Sequence, residues 1–337
     1  MFLVKKLRYL LFGVLFVGLL SLTSCSKKSA DIISTVYSGY DFAKAIVGEE
    51  SNLTSDMLVK PGVDIHSYSP SAVDIKNVLN AKLFIYVGGE DDSEWVEEEI
   101  LSNAPKTLKI INMFDCLKEA GVSLLGEEKP YSAEDDEEES EDEEEVEYDS
   151  HVWTSPKNAI IILEAIRDAI IEIDEVEENG SNKDRYTRNY IEYYNALFKI
   201  DAEIKITVSN AKNNFLVFGD RFPLLYFVKE YGINYDAAFR GCSSNKDASS
   251  KVVKSLVDTV KDKKLAYVFV VEMSSSTVAR TIKEEIEKAK SNGYTGPSVE
   301  ILTFYSMQNI TKDDFKNGYT YIDFMNKNVE ALKLALN

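Results

Sequence analysis

Histidine is nearly absent from this chain: 337 residues contain two, His66 and His151. Cysteine is scarce too, with three copies and no Cys-x-x-Cys pair, which argues against a disulfide scaffold and a thiolate zinc site. No Gly-x-Ser-x-Gly elbow, Walker loop or internal repeat of about 20 to 50 residues occurs. A zincin-type metallohydrolase needs two histidines four apart on one helix; these two lie 85 apart. Positive charge is in deficit as well. Lys and Arg number 38 against 57 Asp and Glu, for a formal charge of −19, so nucleic acid and anionic lipid head groups are poor partners. Much of the imbalance is local. Twelve of the fourteen positions from Glu134 to Glu147 are acidic, and taking those twelve from −19 leaves −7, ordinary for a soluble body. Such a run repels itself and is expected to form a disordered loop over residues 130–148. A merely solvated insertion and a weak cation-gathering role both remain open for it.

What is present begins at the N-terminus. Lys5, Lys6 and Arg8 precede a short apolar run, Tyr9 to Leu20, and then Leu22-Thr23-Ser24-Cys25. The run is too short for comfortable spanning, which favours a signal peptide over a membrane anchor helix. The tetrad resembles the bacterial lipobox, implying cleavage before Cys25 and lipid attachment to its sulfur, with residues 1–25 as the signal segment. The expected location is extracytoplasmic, on a bacterial membrane. Cys116 and Cys242 then read as isolated small hydrophobes.

The rest alternates between strand and helix patterns. Strands are expected at 31–36, 53–59, 81–87 and 108–112, and helices at 37–47, from Pro70 to Asp74 onward, at 92–102 and at 156–173. Residues 183–209 carry Tyr186, Tyr190, Tyr194, Leu197, Ile200 and Ile204 at helical spacing without Gly or Pro, and would span roughly 40 Å. Beyond it come strands at 215–218, 234–239, 265–271 and 299–302, with helices at 223–231, 246–261, 276–291 and from Lys312. Regular βα alternation in both halves predicts an α/β fold of two Rossmann-like parallel-sheet lobes, 26–182 and 210–337, joined by one long rigid helix.

In open α/β sheets the ligand crevice lies beyond the carboxyl ends of the strands. His66, Asp220 and Glu272 each follow a predicted strand, and His151 precedes a helix. Two imidazoles with one or two carboxylates suit zinc or manganese, so these four are the candidate metal ligands, at a site in the interlobal cleft. Asp220 could equally cap a helix or pair with Arg221, and a structural hydrogen-bonding role for Glu272 outweighs ligation.

Several segments together carry a family likeness: Ile33-Ser-Thr-Val-Tyr37, Pro61-Gly62…His66-Ser-Tyr68-Ser-Pro70, Phe84-Ile-Tyr86-Val-Gly88, Asp149-Ser-His151-Val-Trp153-Thr-Ser-Pro156 and Tyr231-Gly232. The chain resembles the solute-binding proteins of zinc and manganese ABC importers. The resemblance implies a non-enzymatic, monomeric, lipid-anchored protein that captures a divalent ion, zinc ahead of manganese, and hands it to an ABC permease. It also implies His66 and His151 as first and second ligands. Relatives place a His or Glu as the third, where this chain offers Asp220 beside Arg221, and a carboxylate as the fourth, where it has Phe304-Tyr-Ser-Met-Gln308. Gln308, a water or Glu272 could complete the shell. A surface adhesin fits the anchor, but no repeat or aromatic patch supports it.

Overall fold

The computed structural model describes residues 29–65, 68–89, 92, 95–126, 147–239, 241 and 248–337. The signal segment with Cys25, His66, nearly all of the acidic run and Cys242 lie outside them. Among the described residues no helix is long and apolar enough to cross a membrane.

Among the described residues, eight short strands form two parallel sheets. The first holds β1 (Ile32–Ser34), β2 (Ser55–Met57), β3 (Leu83–Tyr86) and β4 (Lys109–Asn112), in the order β2-β1-β3-β4. The second holds β5 (Phe215–Phe218), β6 (Asn234–Ala237), β7 (Tyr267–Val270) and β8 (Glu300–Thr303), in the order β6-β5-β7-β8. The two orders are the same permutation, so each lobe has a switch point, between β1 and β3 and between β5 and β7, where a crevice opens at the strand ends. In the first lobe Asp92 fills that crevice. Its carboxylate accepts Thr35 Oγ1 at 2.9 Å and the backbone N–H groups of Val87 and Gly88 at 2.8 and 3.0 Å.

The helices are α1 (Tyr37–Val47), α2 (Ala72–Leu79), α3 (Met113–Glu119), α4 (Pro156–Glu177), α5 (Lys183–Ser209), α6 (Leu225–Tyr231), α7 (Ser250–Asp262), α8 (Thr277–Ser291), α9 (Lys312–Lys316) and α10 (Tyr321–Leu336). The start of α2 follows from its sequence. Ser71 Oγ accepts the Asp74 N–H at 3.2 Å, and Asp74 accepts the Ser71 N–H at 2.9 Å, a reciprocal cap. The linking helix α5 has 27 residues without a break, and it packs on α4, α1 and α10.

Three elements differ from expectation. The helix expected over 92–102 is a π-helical turn, Val96–Ile100, followed by a single 3-10 turn. Asp92 is drawn into the strand ends, and Val96 and Ile100 are both buried while Glu97, Glu98 and Glu99 face outward, so a short widened turn serves both demands. The terminal helix is two helices, α9 and α10, separated at Asn317-Gly318, where Gly318 takes φ +75°. Helix α3 had no expectation; the Asn112 side chain caps it by accepting two N–H groups.

One apolar core runs through both lobes, taking Phe42 and Leu163 from the first and Phe218, Phe304 and Leu332 from the second. Close backbone approach also positions the second lobe. A Cβ on Gly219 would lie 2.6 Å from the Ala279 Cα in α8, so β5 can end there only as glycine. Gly219→Ala is expected to cost about 1–3 kcal/mol in urea unfolding; a loss below 0.5 kcal/mol would show that α8 yields freely.

Candidate metal site

The second sheet delivers Asp220 and Glu272 side by side, because they follow β5 and β7 across the switch point. Both are buried. Asp220 Oδ1 accepts the Arg221 N–H at 2.8 Å, and Oδ2 accepts the Val271 N–H at 3.0 Å, which ties the ends of β5 and β7 together. Glu272 takes the N–H of Ser306 at 2.8 Å and its hydroxyl at 2.6 Å. Burial pushes the Glu272 carboxyl above its usual range, against the lowering effect of the Ser306 bonds and of the Arg221 charge.

The first lobe contributes His151, 1% exposed, at the entry to α4. Asp149 orients it: Oδ1 accepts the His151 N–H at 2.9 Å and lies 3.3 Å from Nδ1. A carboxylate beside Nδ1 fixes the orientation of the ring, the arrangement commonly found behind metal-ligating imidazoles. The ring meets Trp153 edge-on at 5.5 Å, and Trp153 Nε1 donates to the Ser306 carbonyl at 2.7 Å. Thus His151 and Glu272 belong to one chain of contacts, through Trp153 and Ser306.

Between the lobes lies a small cavity of about 20 Å³, lined among others by Asp64, Ile65, Arg221, Glu272, Ser306 and Gln308. That is room for one water or one ion. The loop after β8 forms its far wall, held on the first lobe by Gly62 N–H to the Ile310 carbonyl (2.8 Å), Tyr37 N–H to the Gln308 carbonyl (2.9 Å), and Asn309 donating to Val63. Ile65 lines the cavity, and the next residue, His66, lies outside the described residues. Among the described residues no three His, Cys, Asp or Glu side chains converge as a metal-binding cluster. Asp220 and Glu272 adjoin each other through Val271, and His151 stands three contacts away from Glu272, with Trp153 and Ser306 between. The donors fit a divalent ion in kind: a buried imidazole held by Asp149, and two buried carboxylates, of which Glu272 lines a cavity of ionic size.

Sequence reasoning missed three functional neighbours. Asp149 was readable in principle, since an acid two residues before a ligating histidine can orient it. Ser306 carried no signal. A pair with Asp220 was one alternative for Arg221; its Nη1 reaches Asp64 of the other lobe at 3.0 Å.

Known proteins resemble this arrangement along nearly its whole length. The family model described as zinc-uptake complex component A, periplasmic (ZnuA), matches residues 32–335, nine-tenths of the chain. The zinc-binding lipoprotein AdcA of Streptococcus pneumoniae is 29% identical over 322 residues, 93% of this chain but 58% of AdcA. The chain therefore spans little more than half of that relative. The high-affinity zinc uptake system protein ZnuA of Bacillus subtilis is 29% identical over 323 residues, covering 93% of this chain and 92% of its own. Among solved structures, the Zn(II)-bound ZnuA-like domain of S. pneumoniae AdcA superposes with a TM-score of 0.67 at 26% identity, covering 91% of this chain and 99% of that domain. Both lobes and the helix between them fall within the matched span, and the chain belongs to the zinc-uptake complex component A family.

Proposed function

We propose that this protein is an extracytoplasmic carrier that captures one divalent metal ion, zinc in preference to manganese, and delivers it to the permease of an ABC importer. A lipid on Cys25 would tether it to the membrane, with lobes 26–182 and 210–337 acting as a monomer around the 183–209 helix. The observation that carries the reading is His151, a buried imidazole held by Asp149 at the junction of two lobes whose match to a zinc-uptake family is continuous. His66 would be the second imidazole. Asp220 or Glu272 would supply oxygen from the second lobe, with Gln308 as a further donor. Glu272 could rotate from Ser306 toward the ion, at the cost of two hydrogen bonds. No catalytic role is assigned to any residue. A carrier closes its coordination shell, whereas a hydrolase leaves a position open to water.

Titrating metal-free protein with Zn²⁺ and Mn²⁺ tests this. Tight 1:1 zinc binding is expected, weakening on acidification as protons compete for the imidazoles. The His66→Ala/His151→Ala double variant should bind at least a hundredfold more weakly. Undiminished binding by that variant would end the assignment.

A further inference from the structure

The cavity that should receive a cation has one in its wall. Arg221 directly follows Asp220 at the end of β5, its side chain only 12% exposed, and it lines the interlobal cavity together with Glu272 and Asp64. Its Nη1 lies 3.0 Å from Asp64 Oδ2, across 157 residues of sequence and from one lobe to the other. Asp64 stands two residues before His66. The same guanidinium acts on the Glu272 carboxylate. One permanent positive charge therefore faces acids from both walls of the cleft.

Arginine is a poor choice if the position serves only to receive a metal. The guanidinium has no lone pair to offer and stays protonated at any accessible pH, so it can neither ligate nor be neutralised. As a stability device it is also weak, because Asp64 is 38% exposed and ion pairs of that kind contribute little. A dication a few ångströms from a guanidinium is repelled by it, and low-dielectric walls strengthen the repulsion. The same charge offsets the carboxylates while the site holds no metal, which lowers the cost of burying them together.

We propose that Arg221 is a tethered competitor of the cargo ion: it occupies the cleft acids in the metal-free state, must be displaced when the ion enters, and so lowers affinity and hastens release. This rests on the metal-capture reading above. A carrier must give up its cargo as well as bind it, and a charge built into the cleft biases that exchange toward release.

The test is zinc affinity by competition with a chromogenic chelator, and zinc release after a chelator jump, on the full chain. Arg221→Gln removes the charge and keeps a hydrogen-bond donor for Asp64. It should bind zinc at least tenfold more tightly and release it correspondingly more slowly. Arg221→Lys keeps the charge and should remain within threefold of the wild type. Arg221→Met, a neutral side chain of similar stem length, should tighten binding in the same direction, and stands in for Arg221→Gln if that variant fails to fold. Equal or weaker binding by the neutral variants, alongside histidine-dependent binding in the wild type, overturns the role of Arg221 alone. A wild type that does not bind zinc, or binds it without its histidines, overturns the metal reading itself.

Discussion

Replacing Trp153 by alanine is expected to lower the unfolding free energy of the metal-free protein by about 3–5 kcal/mol, the range for deleting a large buried aromatic side chain. Trp153 is fully buried, in the short turn between His151 and α4, and its surroundings come from both halves of the chain. Its Nε1 donates to the Ser306 carbonyl at 2.7 Å, and its own carbonyl accepts the Tyr321 hydroxyl at 2.6 Å. The indole thus fills space between the lobes while anchoring the loop that carries Ser306. Truncation would leave a void that neither lobe can close alone and would strip a buried carbonyl of its donor. The loss should be felt at Glu272, which accepts two hydrogen bonds from Ser306. Trp153→Phe keeps most of the volume and gives up the hydrogen bond, so about 1–2 kcal/mol is expected. Urea unfolding of the three proteins measures both; a Trp153→Ala loss under 1.5 kcal/mol would show that the lobes do not depend on this contact.

How far the sequence spoke depended on whether a feature was local. The runs read as α1, α5 and β5 have the observed bounds: α5 from apolar residues at helical spacing, α1 and β5 from short, mostly apolar runs that are buried almost throughout. The cap of α2 was readable because Ser71 and Asp74 satisfy one another three residues apart. The turn at Val96–Ile100 was not, since its form depends on Asp92 reaching Thr35 and Val87 across the sheet. The site divides in the same way. His151 was visible as one of two histidines, and Asp220 and Glu272 as acids at strand ends. Ser306 and the Arg221–Asp64 pair were hidden, because they join residues 34 and 157 positions apart. Periodicity constrains one element at a time and carries nothing about which loops meet in a cleft.

Asp41 sets the second large effect. It lies in α1, is 5% exposed, and its Oδ2 accepts the Tyr193 hydroxyl of α5 at 2.7 Å and the Tyr321 N–H of α10 at 3.1 Å. One carboxyl therefore joins the first lobe, the linking helix and the C-terminal helix. Asp41→Ala should cost about 3–4 kcal/mol, by leaving two buried donors unpaired. The other oxygen is less well served. Tyr37 OH lies 3.5 Å from Oδ1 but has a single proton, which the Tyr319 carbonyl takes at 2.6 Å. An ionised carboxylate there would face a phenolic lone pair, whereas a protonated one could donate to it. Burial likewise pushes the Asp41 carboxyl above its ordinary range, helped by Asp323 and opposed by Tyr193, the Tyr321 N–H and Lys44. The sign follows: with the folded value raised, the stabilisation Asp41 supplies is complete at acid pH and is lost as pH rises through the folded value. Asp41→Asn places an amide donor where the proton would sit and cannot ionise. It should therefore be more stable than the wild type at neutral pH, with an advantage that shrinks as pH falls toward the carboxylate range. Unfolding of both proteins in urea across pH 4 to 8, without metal, reads that difference directly, and an advantage that stayed constant with pH, or reversed, would mean Asp41 is buried as a charge.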